Sequence, residues 1–290
     1  MPDDGSPGID PQVLADRIRW RILDQHQRSG AGHLGSSLSI VEILAVVLGS
    51  HFRWRSAPGA ADGDRFVLSK GHAALGLYCA LAEVGRLPGE VLAEFGRNDA
   101  AAEPHPNERL LTQVDASTGS LGQGFSIAVG MALGARIRQR EATVFVVIGD
   151  GECNEGQVWE AARSAGYLGL DNLVVLLDDN QMQQDGPTPA ILPVSDVAGA
   201  FAGMGWATIT CDGHDTQAVG DALSKLHESV NAPKLVHAHT VKGRGVPFME
   251  HQTESHYPPP LTAEELAMLR YMRRQELAVT RRVLEQGAGQ

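Results

Sequence analysis

Residues 143–180, TVFVVIGDGECNEGQVWEAARSAGYLGLDNLVVLLDDN, hold two aliphatic runs, Thr143 to Ile148 and Leu173 to Leu177. A glycine turn and a stretch with Val158, Ala161, Ala162, Ala165 and Leu168 at helical spacing lie between them. Each run is apolar at successive positions rather than alternate ones, which predicts strands covered on both faces. Strand, helix and strand in that order make a βαβ unit with a right-handed crossover. Working outward, Gly124 to Arg138 reads as a small-residue helix, Trp206 to Cys211 and Leu235 to Val241 as two more strands, and Thr216 to Val230 as the helix between them. The alternation predicts an α/β fold with a mostly parallel sheet and helices on both faces.

The N-terminal part is read from its punctuation. Asp10-Pro11 opens a helix with Leu14, Ile18 and Ile22 on one face, which stops at Gly30. A Gly/Ser-rich loop from Ser29 to Ser37 follows, its serines placed to cap the apolar run Ile40 to Leu48. The loop Ser69-Lys70-Gly71-His72 precedes a helix from Ala73 to Val84. Gly96 to Gln113 has two prolines and no periodicity, and reads as a long surface loop of the functional kind. After Pro258-Pro259-Pro260, Thr262 and Glu265 form a capping box that opens a last helix reaching about Gln286. Residues 1–290 are expected to be a single domain, with 1–9 flexible and 257–290 a C-terminal extension and helix.

Composition excludes several classes of function. The chain is 43% hydrophobic and 20% charged, with a net charge of -11, so it repels polyanions and is not expected to bind nucleic acid. Its apolar runs fall far short of the roughly 20 residues that span a bilayer, and its acidic first dozen residues do not resemble a signal peptide. Cys79, Cys153 and Cys211 have neither disulfide nor zinc spacing, which fits a reducing cytoplasm.

In open parallel sheets ligands sit at the carboxyl ends of strands, where glycine turns let backbone approach and helix N-termini face anions. Asp150 follows one strand and Asn180 the next. Singly, an Asp-Gly is a turn and an Asn a cap. Together they offer hard oxygen ligands for Mg2+ or Ca2+, with diphosphate oxygens and water completing the shell.

The string GDGECNEGQVWEAARSAGYLGLDNLVVLLDDNQMQQDG at 149–186 resembles the thiamine diphosphate motif of transketolases. So do SGAGHLGSSLSIVEIL at 29–44, DRFVLSKGHAALGLY at 64–78, STGSLGQGFSIAVGMALGA at 117–135 and TVKGRGVPFME at 240–250. The resemblance runs in the family's order over about residues 10–285. It implies the thiamine diphosphate-binding fold, with Asp150, Asn180 and the carbonyl of Met182 as metal ligands. It further implies cofactor contacts from His72, Gly119, Leu121, Gly151, Asn180 and Lys242, and a helix on which Glu155 and Glu160 face the cofactor and an inter-subunit contact. His33, His72, His105 and His256 match histidines that handle the sugar substrate, a task for groups that pass protons near pH 7.

Transketolases carry a second α/β domain that holds the pyrimidine ring, and no matching segment follows here. The chain therefore resembles the N-terminal, diphosphate-binding subunit of a split transketolase. The implied partner is a C-terminal, pyrimidine-binding chain, in a heterotetramer with two copies of each, and the implied reaction moves a two-carbon ketol unit from a ketose or ketose phosphate to an aldehyde. Two alternatives stay open: transfer of that unit to a lipoyl or carrier-protein thiol, and a non-catalytic regulatory subunit. Glu103-Pro104-His105-Pro106, Thr112-Gln113-Val114 and Ser255-His256-Tyr257 depart from the family's usual strings at the substrate entrance, which implies an altered substrate.

Overall fold

The structure, a computed structural model, describes residues 8–57, 60–194 and 196–274. It divides into one unit that reaches Pro258 and a second that begins at Pro259. In the first unit α1 (Pro11–Ser29) starts at Asp10, whose Oδ1 accepts the backbone N–H groups of Gln12 and Val13 at 2.9 and 3.1 Å. It stops at Gly30, which takes the left-handed conformation at φ 61°. Short helices α2 (Leu34–Leu38) and α3 (Val41–Val46) follow, and the chain runs on from α3 in a π turn over Val47–His51.

The Gly/Ser segment corrects the sequence reading. Leu34 to Leu38 is helical and fully buried, and no serine side chain caps α2 or α3. Burial overrides the weak helix propensity of Gly-Ser-Ser. Ser39 instead turns its hydroxyl inward, donating to Asp178 Oδ2 at 2.8 Å.

Next come β1 (Arg65–Leu68), α4 (Ala74–Glu83), α5 (Gly89–Ala93) and α6 (Gln123–Ile137). The βαβ unit is β2 (Val144–Gly149), α7 (Gly156–Leu168) and β3 (Leu173–Asp179). After α8 (Thr188–Ile191) and α9 (Val197–Gly203) the unit continues with β4 (Ala207–Asp212), α10 (Thr216–His227) and β5 (Lys234–His239). In the second unit a helix over 263–274 opens on the expected box: Glu265 accepts from the Thr262 N–H at 2.7 Å and Thr262 Oγ1 from the Glu265 N–H at 3.2 Å. The expected course of that helix beyond 274 lies outside the described residues, as does the expected flexibility of residues 1–7.

The sheet is fully parallel, in the order β1-β2-β3-β5-β4. Every residue of β2 and β3 is buried, as their unbroken apolar runs require, whereas β4 at the edge alternates between half-buried and exposed. β1 was not foreseen: Arg-Phe-Val-Leu is short and begins with a charge, yet it pairs in register with Val144 to Val147. On one face α6, α7 and α9 close a core around Phe125, Phe201 and Trp206. Phe201 and Trp206 meet edge to face with centroids 5.0 Å apart. Among the described residues, no helix is long and apolar enough to cross a membrane.

Candidate active site at the strand ends

Four of the five strands end at one cavity of about 280 Å³. β1 delivers Lys70 and His72, β2 delivers Asp150 and Gly151, β3 delivers Asn180 and Met182, and the turn after β5 delivers Lys242. Gly119 and Leu121 line it from the loop before α6, His33 from the start of α2, His105 from the long loop, and His256 from a 3-10 turn over Thr253–His256. That turn sits directly on α2. A Cβ at Gly35 would stand 2.7 Å from the Ser255 carbonyl oxygen, so only glycine lets His256 reach His33. The His33 and His256 rings are 4.8 Å apart, and His33 lies 5.3 Å from His72 and 5.8 Å from His105.

The structure thus brings together every sequence-predicted site residue but Glu155. That residue is exposed, capping α7 in extended conformation at φ -76° and ψ 124°, and it is not part of the cavity wall. Its side chain lies beside Gly122, where an added Cβ would meet Glu155 Cβ at 3.3 Å, and Glu160 on the same helix is exposed too.

The wall also contains residues that sequence reasoning passed over. Glu152 is buried among three donors: Ser69 Oγ at 2.5 Å, the Gly122 N–H at 2.8 Å and the Gly149 N–H at 3.1 Å. It ties the loop before α6 to the end of β2, and burial pushes its carboxyl up. Lys70 pairs with fully buried Asp178, which also accepts from Ser39, Thr240 and the Asn180 Nδ2 at 2.7 Å. Burial alone would raise the Asp178 carboxyl, but Lys70 and these donors outweigh it and hold it below the ordinary value. Glu152 lies three residues past the end of β2 in Gly-Asp-Gly-Glu and Lys70 two past the end of β1 beside Gly71-His72, and that position near a strand end is the signal the sequence offers.

The donor set fits a metal-bound diphosphate. Asn180 is oriented by its bond to Asp178, and its Oδ1, which accepts the Met182 N–H at 3.1 Å, keeps a second lone pair. Thr188 donates to Asp150 Oδ2 at 2.6 Å. Burial pushes the Asp150 carboxyl up to about 6, with Asp178 and Asp179 adding to the effect, and a divalent cation would offset both causes. Beside these oxygens Gln183 Nε2 is buried without a hydrogen-bond partner, as are Nδ1 of His33 and of His256. A Cβ at Gly151 would meet Gln183 Cγ at 2.9 Å, so glycine keeps that approach open. Lys242 donates to the Gln183 carbonyl at 2.9 Å; burial and then Lys70 lower it to about 8, leaving it mostly cationic at pH 7.

The histidines are held neutral. Burial, then His105, lowers His33 to about 4; burial, then Lys242, lowers His256 to about 3. His72 lies well below its ordinary value through burial and Lys70, and burial also lowers His105. Uncharged imidazoles beside a cationic lysine can accept or donate hydrogen bonds to hydroxyl groups without adding charge.

An open parallel sheet that gathers glycine turns, polar side chains and a lysine at its strand ends defines an α/β domain of the class that binds ligands at that edge. The family described as "Transketolase, thiamine diphosphate binding domain" matches residues 11–280, and the chain belongs to it. The chain is 40% identical over 252 residues to the 6-deoxy-6-sulfo-D-fructose transketolase subunit SqwG of Clostridium sp. (strain MSTE9), covering 86% of this chain and 90% of that one. It is 40% identical over 255 residues to transketolase-like protein 2 of Bos taurus, of which it spans only 40%. The crystal structure of transketolase from Campylobacter jejuni superposes with a TM-score of 0.84 at 29% identity, covering 90% of this chain and 42% of that one.

Proposed function

We propose that this chain is the diphosphate- and metal-binding subunit of a two-chain, transketolase-like enzyme. The observation that carries the reading is the convergence of Asp150, Asn180, Met182, Gly151 and Lys242 on one cavity with four histidines. The relative SqwG, named as a subunit and matched over 90% of its length, supports a partner chain. Thiamine diphosphate, when bound, supplies the carbon centre that cleaves a ketose next to its carbonyl and carries the two-carbon unit.

This chain's residues have three tasks. Asp150, Asn180 and the Met182 carbonyl hold Mg2+ or Ca2+, and Gly119, Gly151, His72 and Lys242 receive the diphosphate, with Leu121 as its apolar wall. The metal and backbone N–H donors supply the attraction that a net charge of -11 withholds. His33, His105 and His256 bind the sugar hydroxyls and relay their protons as neutral bases. The partner provides the pyrimidine pocket, with two copies of each chain in the assembly, and Glu155 and Glu160 lie on the face turned to it. The three unpaired cysteines support a reducing, cytoplasmic setting.

The entrance strings at 103–106, 112–114 and 255–257 differ from the family's usual ones, which supports a donor or acceptor altered from the usual ketose and aldose phosphates. The test is reconstitution. This chain and a separately produced pyrimidine-binding chain are assayed with thiamine diphosphate and Mg2+ against ketose phosphates and 6-deoxy-6-sulfo-D-fructose. Ketol transfer that requires both chains is the expected result, and enzyme-like turnover by this chain alone would overturn the two-chain reading.

A further inference from the structure

Asp179, His237 and His239 meet at the carboxyl ends of β3 and β5, and none of them lines the cavity described above. The period of two along β5 puts both imidazoles on one face of the sheet, and the register sets Asp179 directly opposite His239. His237 Nε2 lies 2.7 Å and His239 Nδ1 3.2 Å from the same oxygen, Asp179 Oδ2. Gln181 donates to the other oxygen and fixes the carboxylate. One donor atom from each of the three residues falls within 4.8 Å of the others. Burial is graded: Asp179 is buried, the His237 side chain is 13% exposed and that of His239 59% exposed, so the cluster is anchored at one end and open to solvent at the other.

Two imidazoles and one carboxylate are a donor set for Zn2+, Co2+ or Ni2+ rather than for Mg2+ or Ca2+, which take oxygen shells. A tetrahedral ion at about 2.0–2.1 Å from its ligands needs donor atoms about 3.3 Å apart. The His239-to-Asp179 separation of 3.2 Å is already at that value, the His237-to-Asp179 one of 2.7 Å is shorter, and all three donor atoms lie within 4.8 Å of one another, so an ion in place of the shared protons requires side-chain shifts of no more than about 1.5 Å. We propose that Asp179, His237 and His239 bind one divalent transition metal at a site separate from the cation site of Asp150 and Asn180. The two sites share β3, because Asp179 immediately precedes Asn180, and the turn after His239 leads to Lys242. An ion here would therefore pin together the two strand ends that deliver a metal ligand and a lysine to the cavity.

The test uses the full chain without a polyhistidine tag, titrated with Co2+ in excess Mg2+ and followed by visible d–d absorption. One Co2+ per chain, displaced by Zn2+ and insensitive to Mg2+, is expected. Affinity should fall at least tenfold in His239→Ala and in His237→Asn, the scale on which even outer-sphere changes act. The exposed position of His239 makes its variant the one expected to keep the fold, which circular dichroism checks. In parallel, Zn2+ should raise the Tm of the natural chain and not that of His239→Ala. The double variant His33→Asn/His256→Asn should bind Co2+ as the natural chain does. No d–d band, a band that survives His239→Ala, or a band lost in the cavity double variant would each overturn the proposal.

Discussion

Lys70 and Asp178 form a buried pair of opposite charges, each the other's charged partner. Removing one partner strands a charge, which typically costs about 3–5 kcal/mol. Lys70→Met should therefore lower unfolding stability by about that amount, read as a shift of the urea midpoint with little change in slope. Asp178→Asn with Lys70→Met should recover part of the loss, because no unpaired charge is left. A single variant as stable as the natural chain would show that the pair is not compensating burial. Asp150→Asn tests a different role, since it keeps the acceptor for Thr188 but removes the charge. The reconstituted enzyme should then need at least about tenfold more Mg2+ to retain thiamine diphosphate, and an unchanged Mg2+ requirement would remove Asp150 from the metal shell.

Elements are held apart at distances that particular residues set. Gly166 on α7 passes so close to the end of α9 that a Cβ there would overlap the Met204 carbonyl, with the carbonyl carbon 3.0 Å away. Backbone cannot rotate aside as a side chain does, so Gly166→Ala should cost about 1–3 kcal/mol as an overpacking change, despite its better helix propensity. Thermal unfolding compares it with Gly203→Ala, which has open space around its Cβ and should change stability little. Equal effects from the two would refute the close-approach argument. Legibility in the sequence follows the same physics. β2 and β3 are buried on both faces and so announce themselves as unbroken apolar runs, and Asp10, Gly30 and Thr262 do what capping chemistry requires locally. β1 and α2 were not legible, because four residues beginning with Arg, and a Gly-Ser-Ser helix, take their structure from tertiary burial rather than from local preference. The cavity was legible where a strand ends in a familiar string, as at Gly149-Asp150-Gly151. It was not legible at Glu152 and Lys70, whose partners are up to about a hundred residues away in sequence.

At the scale of the whole molecule, the cavity makes stability depend on pH. His33, His72 and His256 have their folded-state values depressed, to about 4 for His33 and about 3 for His256, while the unfolded chain takes up these protons near 6.5. Between those limits the unfolded state binds more protons, so stability is present above about pH 6.5 and is lost as pH falls toward 4. Asp150 acts oppositely, because its folded value of about 6 lies above the ordinary 3.8 and protonation there favours the folded state. Among the described residues the lowered histidines, His51 and His105 included, outnumber the raised carboxyls of Asp115, Asp150 and Glu152, and the net expectation is a protein that weakens on acidification well before ordinary carboxylates titrate. Urea midpoints of the cofactor-free chain at about pH 7, 6 and 5 should fall in that order, and the double variant His33→Asn/His256→Asn should show a flatter dependence because two of the depressed groups are gone. Parallel curves for the two proteins would mean that the acid loss arises elsewhere, for instance at His51, which burial also lowers. The direction matters for the proposed reaction, since the condition that keeps the four imidazoles neutral and the Asp150 carboxyl charged, pH at or above neutrality, is the one in which the empty fold is also most stable. On the proposed function, which needs neutral histidines and a charged Asp150 carboxylate, the domain is thus most robust in the protonation state that its chemistry would use.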